Sequence, residues 1–206
     1  GWIEGRNLRL VTRVPKPTAA DIRKHVAEVV AAAPDVILTT GSTTVGPFLQ
    51  ANRTIPIVFL SVVDPVGGGF VESLARPGGN ATGFMQFEYG VSGKWLELLK
   101  QIAPATTRAA VMRDASTTSG IGQFAVIQSV ASSVGIDVVP INVRDATELE
   151  RAIGTFARTP NSGLIAATGA GVRTHGDLIV ALAARHRLPT VFAQRYFVGR
   201  GGLISY

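Results

Sequence analysis

Four short clusters of glycine, hydroxyl and carboxylate residues each follow an apolar run, and each carries groups able to grip a small molecule. Gly41-Ser42-Thr43-Thr44 stands between a β-branched run and a helical pattern, so its N–H groups and hydroxyls converge on one spot suited to a carboxylate or phosphate. Plain helix capping is the competing use, and no lysine follows the glycine as a Walker loop requires. Asp64, in Ser61-Val62-Val63-Asp64-Pro65 ahead of three glycines, is a carboxylate at a strand end, placed to accept a ligand ammonium or to cap the next helix. Asp114, with Ser116, Thr118 and Ser119, offers the same choice between ligand contact and a solvated hydroxyl loop. Thr168-Gly169-Ala170-Gly171 opens a further helix. Gly169 to Thr174 mimics half of a dinucleotide fingerprint, but its last glycine is replaced by Thr174 and Thr190 to Gln194 offers no acid, which argues against a nucleotide cofactor.

Covalent chemistry finds little support. The sequence has no G-x-S-x-G elbow, H-E-x-x-H helix or S-x-x-K, and His25, His175 and His186 lie on separate elements without metal-ligand spacing. The absence of cysteine excludes disulfides, thiol catalysis and cysteine metal sites. The expectation is a binding protein, not an enzyme, with no cofactor and no metal. The net charge of +6 is carried mostly by dispersed arginines, with no like-charge block longer than two, so the sequence gives no nucleic-acid stripe.

The elements that must position these clusters alternate strand and helix. Leu8 to Val14 reads as a strand, closed by Pro15 and Pro17; Thr18 caps a helix with Asp21 at its third position and Ile22, Val26, Val29 and Val30 inward. Val36 to Thr40 and Ile55 to Leu60 read as buried strands, the helix after Gly41 runs through Asn52, and Phe70 to Leu74 is expected to be helical. Arg76-Pro77-Gly78-Gly79-Asn80 is a turn before a strand at Ala81 to Phe84. Ser92 is expected to cap a helix bearing Trp95, Leu98, Leu99 and Ile102; Arg108 to Met112 is a strand; and Gly122 to Val134 is a helix with Gly135 at its C-cap. A strand at Asp137 to Asn142, a helix from Asp145 or Thr147, a strand at Gly163 to Ala167, a helix ending at Arg185-His186-Arg187 and strands at Thr190 to Ala193 and Leu203 to Tyr206 complete the pattern. The alternation predicts parallel sheets with right-handed crossovers.

A restart near Met85 to Gly90 divides the chain into a first lobe of residues 1–86, to which 201–206 would return, and a second lobe of 87–200. Phe87, Tyr89, Tyr196 and Phe197 fall near the crossings, where aromatics line a cleft or pack in the core. No run is long and apolar enough to span a bilayer, and the first seven residues carry no signal-peptide pattern.

The segments GWIEGRN, PDVILTTGS, IPIVFLSVVDPVGGGFVESLARPGGNATGF, GKWLELLKQIAP, ALAARHRLPTVFAQRYF and GGLISY together resemble the substrate-binding proteins of ABC transporters, in the branch that takes up tryptophan or tyrosine. The resemblance covers essentially the whole chain and implies a type I periplasmic-binding-protein fold, α/β with two lobes hinged around a small ligand. It implies ligand contacts at Gly41, Ser42, Thr43 and Asp64 in the first lobe, and at Asp114, Ser119, Thr168, Gly169, Gln194 and Arg195 in the second. Relatives often carry Pro-Asp where this chain has Thr168-Gly169, which removes one carboxylate. The resemblance further implies a monomeric receptor for an amino acid or related carboxylate, periplasmic or membrane-anchored outside the cytoplasm, with an ABC permease as partner. It also implies that the sequence is a fragment truncated at both ends, leaving an apolar first-lobe surface uncovered. Two alternatives stand beside it: an α/β enzyme using a nucleotide or sugar phosphate, and a sensory domain of the same fold.

Overall fold

Apolar runs bounded by turn residues become the strands of two parallel sheets. The computed structural model describes every residue except Pro17. The first sheet has the order β1-β2-β3, from β1 (Ile37–Thr40), β2 (Ile57–Val62) and β3 (Ala81–Met85). One face packs under α1 (Ala19–Ala31) and α2 (Ser42–Ala51) through Ile22, Val26, Val45, Phe48, Ile57 and Phe59. The other face is open: Leu38 is 68% exposed and Phe84 is 70% exposed. Val36 to Thr40 is therefore half-buried, with alternate residues inward, and not covered on both sides.

The second sheet has the order β5-β4-β6-β7-β8. It comprises β4 (Arg108–Arg113), β5 (Asp137–Asn142), β6 (Ser162–Ala166), β7 (Thr190–Phe192) and β8 (Ile204–Ser205). Helices α3 (Ser92–Ile102) and α4 (Thr118–Val134) cover one face through Trp95, Leu99, Phe124 and Ile127. Helices α5 (Ala146–Phe156), α6 (Ala170–Thr174) and α7 (Gly176–Arg185) cover the other through Leu149, Ile153, Val172 and Ile179. Covering on both faces explains why β4 and β6 are near-continuous apolar runs. The caps follow from residue type: Thr18, Thr117 and Asp145 each accept an N–H three residues on, and Gly135 closes α4 in the left-handed conformation.

Four further sequence expectations are corrected. Leu8 to Val14 forms no strand; it has no sheet neighbour to pair with, and Val14 is 84% exposed. Phe70 to Leu74 is not helical, because glycines before it and Pro77-Gly78 after it leave too few residues to nucleate a helix. Its N–H groups go to turn carbonyls instead, Phe70 to Pro65 and Glu72 to Pro77. Ser92 does not cap α3; Val91 already has helical angles, and Ser92 is the first buried residue of the helix. The terminal segment does not return to the first sheet, since Ile204 and Ser205 pair with Val191 and Phe192 at the edge of the second.

Candidate functional site

A cleft of about 800 Å³ opens where the carboxyl ends of strands from both sheets meet helix starts. That volume lies within the range of small-molecule sites. From the first sheet, Ser42 and Thr43 line it at the N-terminus of α2. Gly41 provides the turn: its φ of 80° belongs to the region glycine adopts without strain, and its N–H donates to the Leu60 carbonyl, tying β1 to β2. Ser42 Oγ accepts the Val63 N–H at 3.1 Å, fixing the helix start against the end of β2. Thr44 turns back into its own turn, bonding Thr39 Oγ1 at 2.7 Å.

From the second sheet, Asp114, Ser116, Thr117 and Thr118 line the opposite wall, beside Ala170 at the start of α6. Asp114 Oδ1 accepts the Ser116 N–H at 2.9 Å and the Ser116 hydroxyl at 2.6 Å, whereas Oδ2 has no hydrogen bond among the described residues. Thr117 caps α4 by accepting the Gly120 N–H at 3.0 Å. The N-termini of α2 and α4 thus frame a cleft that Asp114 also lines. Arg23, Arg53 and Glu72 also line it.

Of the residues expected to touch a ligand, Ser42, Thr43 and Asp114 line the cleft together. Gly169 stands behind Asp114; a Cβ added to it would come 3.7 Å from the Asp114 Cβ. Ser119 and Thr168 are buried under the same wall, in a network the sequence reading did not find. Gln123, fully buried, accepts the Thr168 N–H at 3.0 Å and its hydroxyl at 2.8 Å through Oε1, and donates from Nε2 to the Ser119 carbonyl at 2.8 Å. The available signal was a polar residue one turn after Ser119 on an otherwise apolar helix face. Gln194 and Arg195 do not line the cleft; they start the 3-10 turn Arg195–Arg200 after β7, with Arg195 exposed.

Asp64 stands apart from the cleft lining, in left-handed backbone at φ 43°. Its Oδ1 accepts the Gly67 N–H at 2.7 Å and its Oδ2 the Tyr89 N–H at 3.1 Å. With no helix following, the first bond closes the turn Asp64 to Gly67, and the second links it to the segment that leads into α3. Among the described residues, no three His, Asp or Glu side chains gather to hold a metal ion, and no helix is long and apolar enough to cross a membrane.

Against known proteins, the chain is 23% identical over 209 residues to a tyrosine-binding protein of Clostridioides difficile, covering 98% of this chain and 58% of that one. Among solved structures, a conserved domain protein from Vibrio cholerae superposes with a TM-score of 0.87 at 25% identity, covering 98% of this chain and 67% of its own. The ABC domain in complex with L-Trp from Streptococcus pneumoniae gives 0.80 at 18% identity, covering 90% and 64%. The chain thus spans somewhat more than half of the length of its curated relative. The paired parallel sheets with flanking helices are the periplasmic-binding-protein fold. Residues 6–206 match the family described as ABC transporter substrate binding protein, and with two sheets facing one hydroxyl-lined cleft, the chain belongs to that family.

Proposed function

We propose that the chain is the ligand-gripping part of an ABC uptake receptor, closing residues 1–86 against 87–206 around an α-amino acid or related carboxylate. The observation that carries this reading is the meeting of Ser42 and Thr43 with Asp114 across one cleft. The N-terminus of α2 carries partial positive charge and unpaired N–H donors, so it suits the ligand carboxylate, with the Ser42 and Thr43 hydroxyls donating beside it. Asp114 Oδ2 then accepts from the ammonium group, the role that Thr168-Gly169 lacks a carboxylate to fill. Closing the cleft removes water and strengthens both sets of bonds, so grip and closure are one event. No bond is made or broken in the ligand.

A tyrosine-binding relative and a tryptophan-bound neighbour support an aromatic amino acid as the first solute to try. The receptor would work as a monomer outside the cytoplasm and present its closed form to a permease. The test is thermal unfolding with L-tyrosine, L-tryptophan, L-leucine, benzoate and ATP. An amino acid at about 100 times its Kd stabilises the chain by about 2.7 kcal/mol. The reading further expects tyramine, which lacks the carboxylate, to have no effect, and Asp114→Asn to weaken binding at least roughly tenfold. Stabilisation by ATP alone, or by no carboxylate tried, overturns it.

A further inference from the structure

We propose that Tyr89 is a positioning residue for the cleft, a strut that sets how the two sheets are held relative to each other. The inference rests on the receptor reading above and deepens it. Tyr89 lies in the 3-10 turn Tyr89–Val91 between β3 and α3, and both of its ends are held. On the first-sheet side, three bonds tie the segment entering this turn to the end of β2. Gln86 N–H donates to the Val62 carbonyl at 2.7 Å, Asp64 N–H to the Phe87 carbonyl at 2.9 Å, and Tyr89 N–H to Asp64 Oδ2 at 3.1 Å.

On the second-sheet side, the Tyr89 ring rests on α4. Gly122 lies so close under it that an added Cβ would meet three ring carbons at 2.5 to 2.7 Å, and only a residue without a side chain allows that contact. The Tyr89 hydroxyl is buried near Thr118, which lines the cleft. One residue therefore joins the end of β2, through its backbone N–H, to the first turns of α4, through its ring. Of the two cleft walls, Thr118 is carried on α4, and Ser42, at the start of α2, is tied to the end of β2 by the Val63 N–H.

Asp64 acquires a function in this arrangement without touching the ligand. Its Oδ2 holds the Tyr89 N–H while Oδ1 closes its own turn on the Gly67 N–H, so the left-handed backbone at the end of β2 stands beside the segment by which the chain leaves the first sheet. A hinge of this kind works through a few terminal residues that fix where the flanking elements point.

The chain contains no cysteine, so spin labels can be placed on Lys24→Cys in α1 and Gln128→Cys in α4, both exposed positions, without removing native thiols. The inter-label distance is measured by double electron–electron resonance in the full chain with no solute present, so the result does not depend on which solute, if any, the cleft takes. Tyr89→Ala is expected to broaden the distribution or shift its mean by more than about 2 Å, while Tyr89→Phe, which keeps the ring on Gly122, retains the parental distribution. An unchanged distribution in Tyr89→Ala overturns the proposal, as does an equal change in Tyr89→Phe. If Tyr89→Ala loses cooperative unfolding, Gly122→Ala, which displaces the ring from the other side, decides by the same two outcomes.

Discussion

The Thr168 N–H and hydroxyl both donate to Gln123 Oε1, across forty-five residues of sequence and out of contact with solvent. The same Gln123 amide donates to the Ser119 carbonyl, so one side chain locks the loop after β6 to the first turn of α4. Two loops of the second sheet that expose polar groups near the cleft are therefore one rigid unit. Replacing Gln123 with leucine fills the volume but leaves the two Thr168 donors without an acceptor. Gln123→Leu is expected to cost about 2 to 4 kcal/mol in urea unfolding. A loss below about 0.5 kcal/mol would mean that water replaces the amide at this position.

Gly120 sits inside α4, where alanine would ordinarily gain about 1 kcal/mol. A Cβ there would overlap the Asp114 carbonyl, so the loop bearing the cleft carboxylate would have to move. Gly120→Ala is expected to lower stability by about 2 kcal/mol and, under the proposed receptor reading, to abolish the thermal shift with an amino-acid solute. A more stable variant that still binds would show that the Asp114 loop yields freely.

Alkaline pH acts through two tyrosines. Burial raises the Tyr89 pKa above its ordinary value of 10.0; the nearby Thr118 hydroxyl opposes the shift and the Asp64 charge adds to it. Burial also raises Tyr196, against the lowering by Arg173 and Arg200. In both cases the folded state keeps the phenol proton more tightly than the unfolded chain. Their contribution is complete below the unfolded pKa and is lost as pH rises through the folded one. Urea midpoints should be flat with respect to these groups up to about pH 9 and fall above about pH 10, with a smaller fall in the Tyr89→Phe/Tyr196→Phe double variant. An equal fall in that variant assigns the pH dependence to other groups.

The open face of the first sheet makes a separate claim about solubility. Leu38 and Phe84 contribute little packing there, being 68% and 70% exposed. In this 206-residue chain, Leu38→Ser and Phe84→Ser should change unfolding free energy by less than about 0.5 kcal/mol each. Together they should also raise the temperature at which light scattering begins, because the apolar patch is broken. Destabilisation by more than about 1 kcal/mol would show that something packs on this face.

Much of the fold was legible because local physics decided it. The caps at Thr18 and Asp145, the αL glycine at Gly135, and the apolar runs of β4, β5 and β6 each depend on residues close in sequence. The cluster Gly41 to Thr43 and the Asp114 loop were readable for the same reason: a strand followed by small polar residues marks a loop at a sheet end. Leu8 to Val14 was misread because a strand is completed only by its neighbour, and alternation alone cannot supply one. Gln123 was missed because its partner lies forty-five residues away.

The amino-acid sequence by itself determined the alternation of strand and helix, the helix starts that offer N–H groups and hydroxyls, and the absence of thiol chemistry. Those properties reside in single residues and their near neighbours. Only the tertiary structure decided that Ser42 and Asp114 face one cleft, that Asp64 holds Tyr89, and that the last strand joins the second sheet. Each of these depends on contacts between residues far apart in the chain, and such contacts are selected by the burial and pairing of whole elements at once.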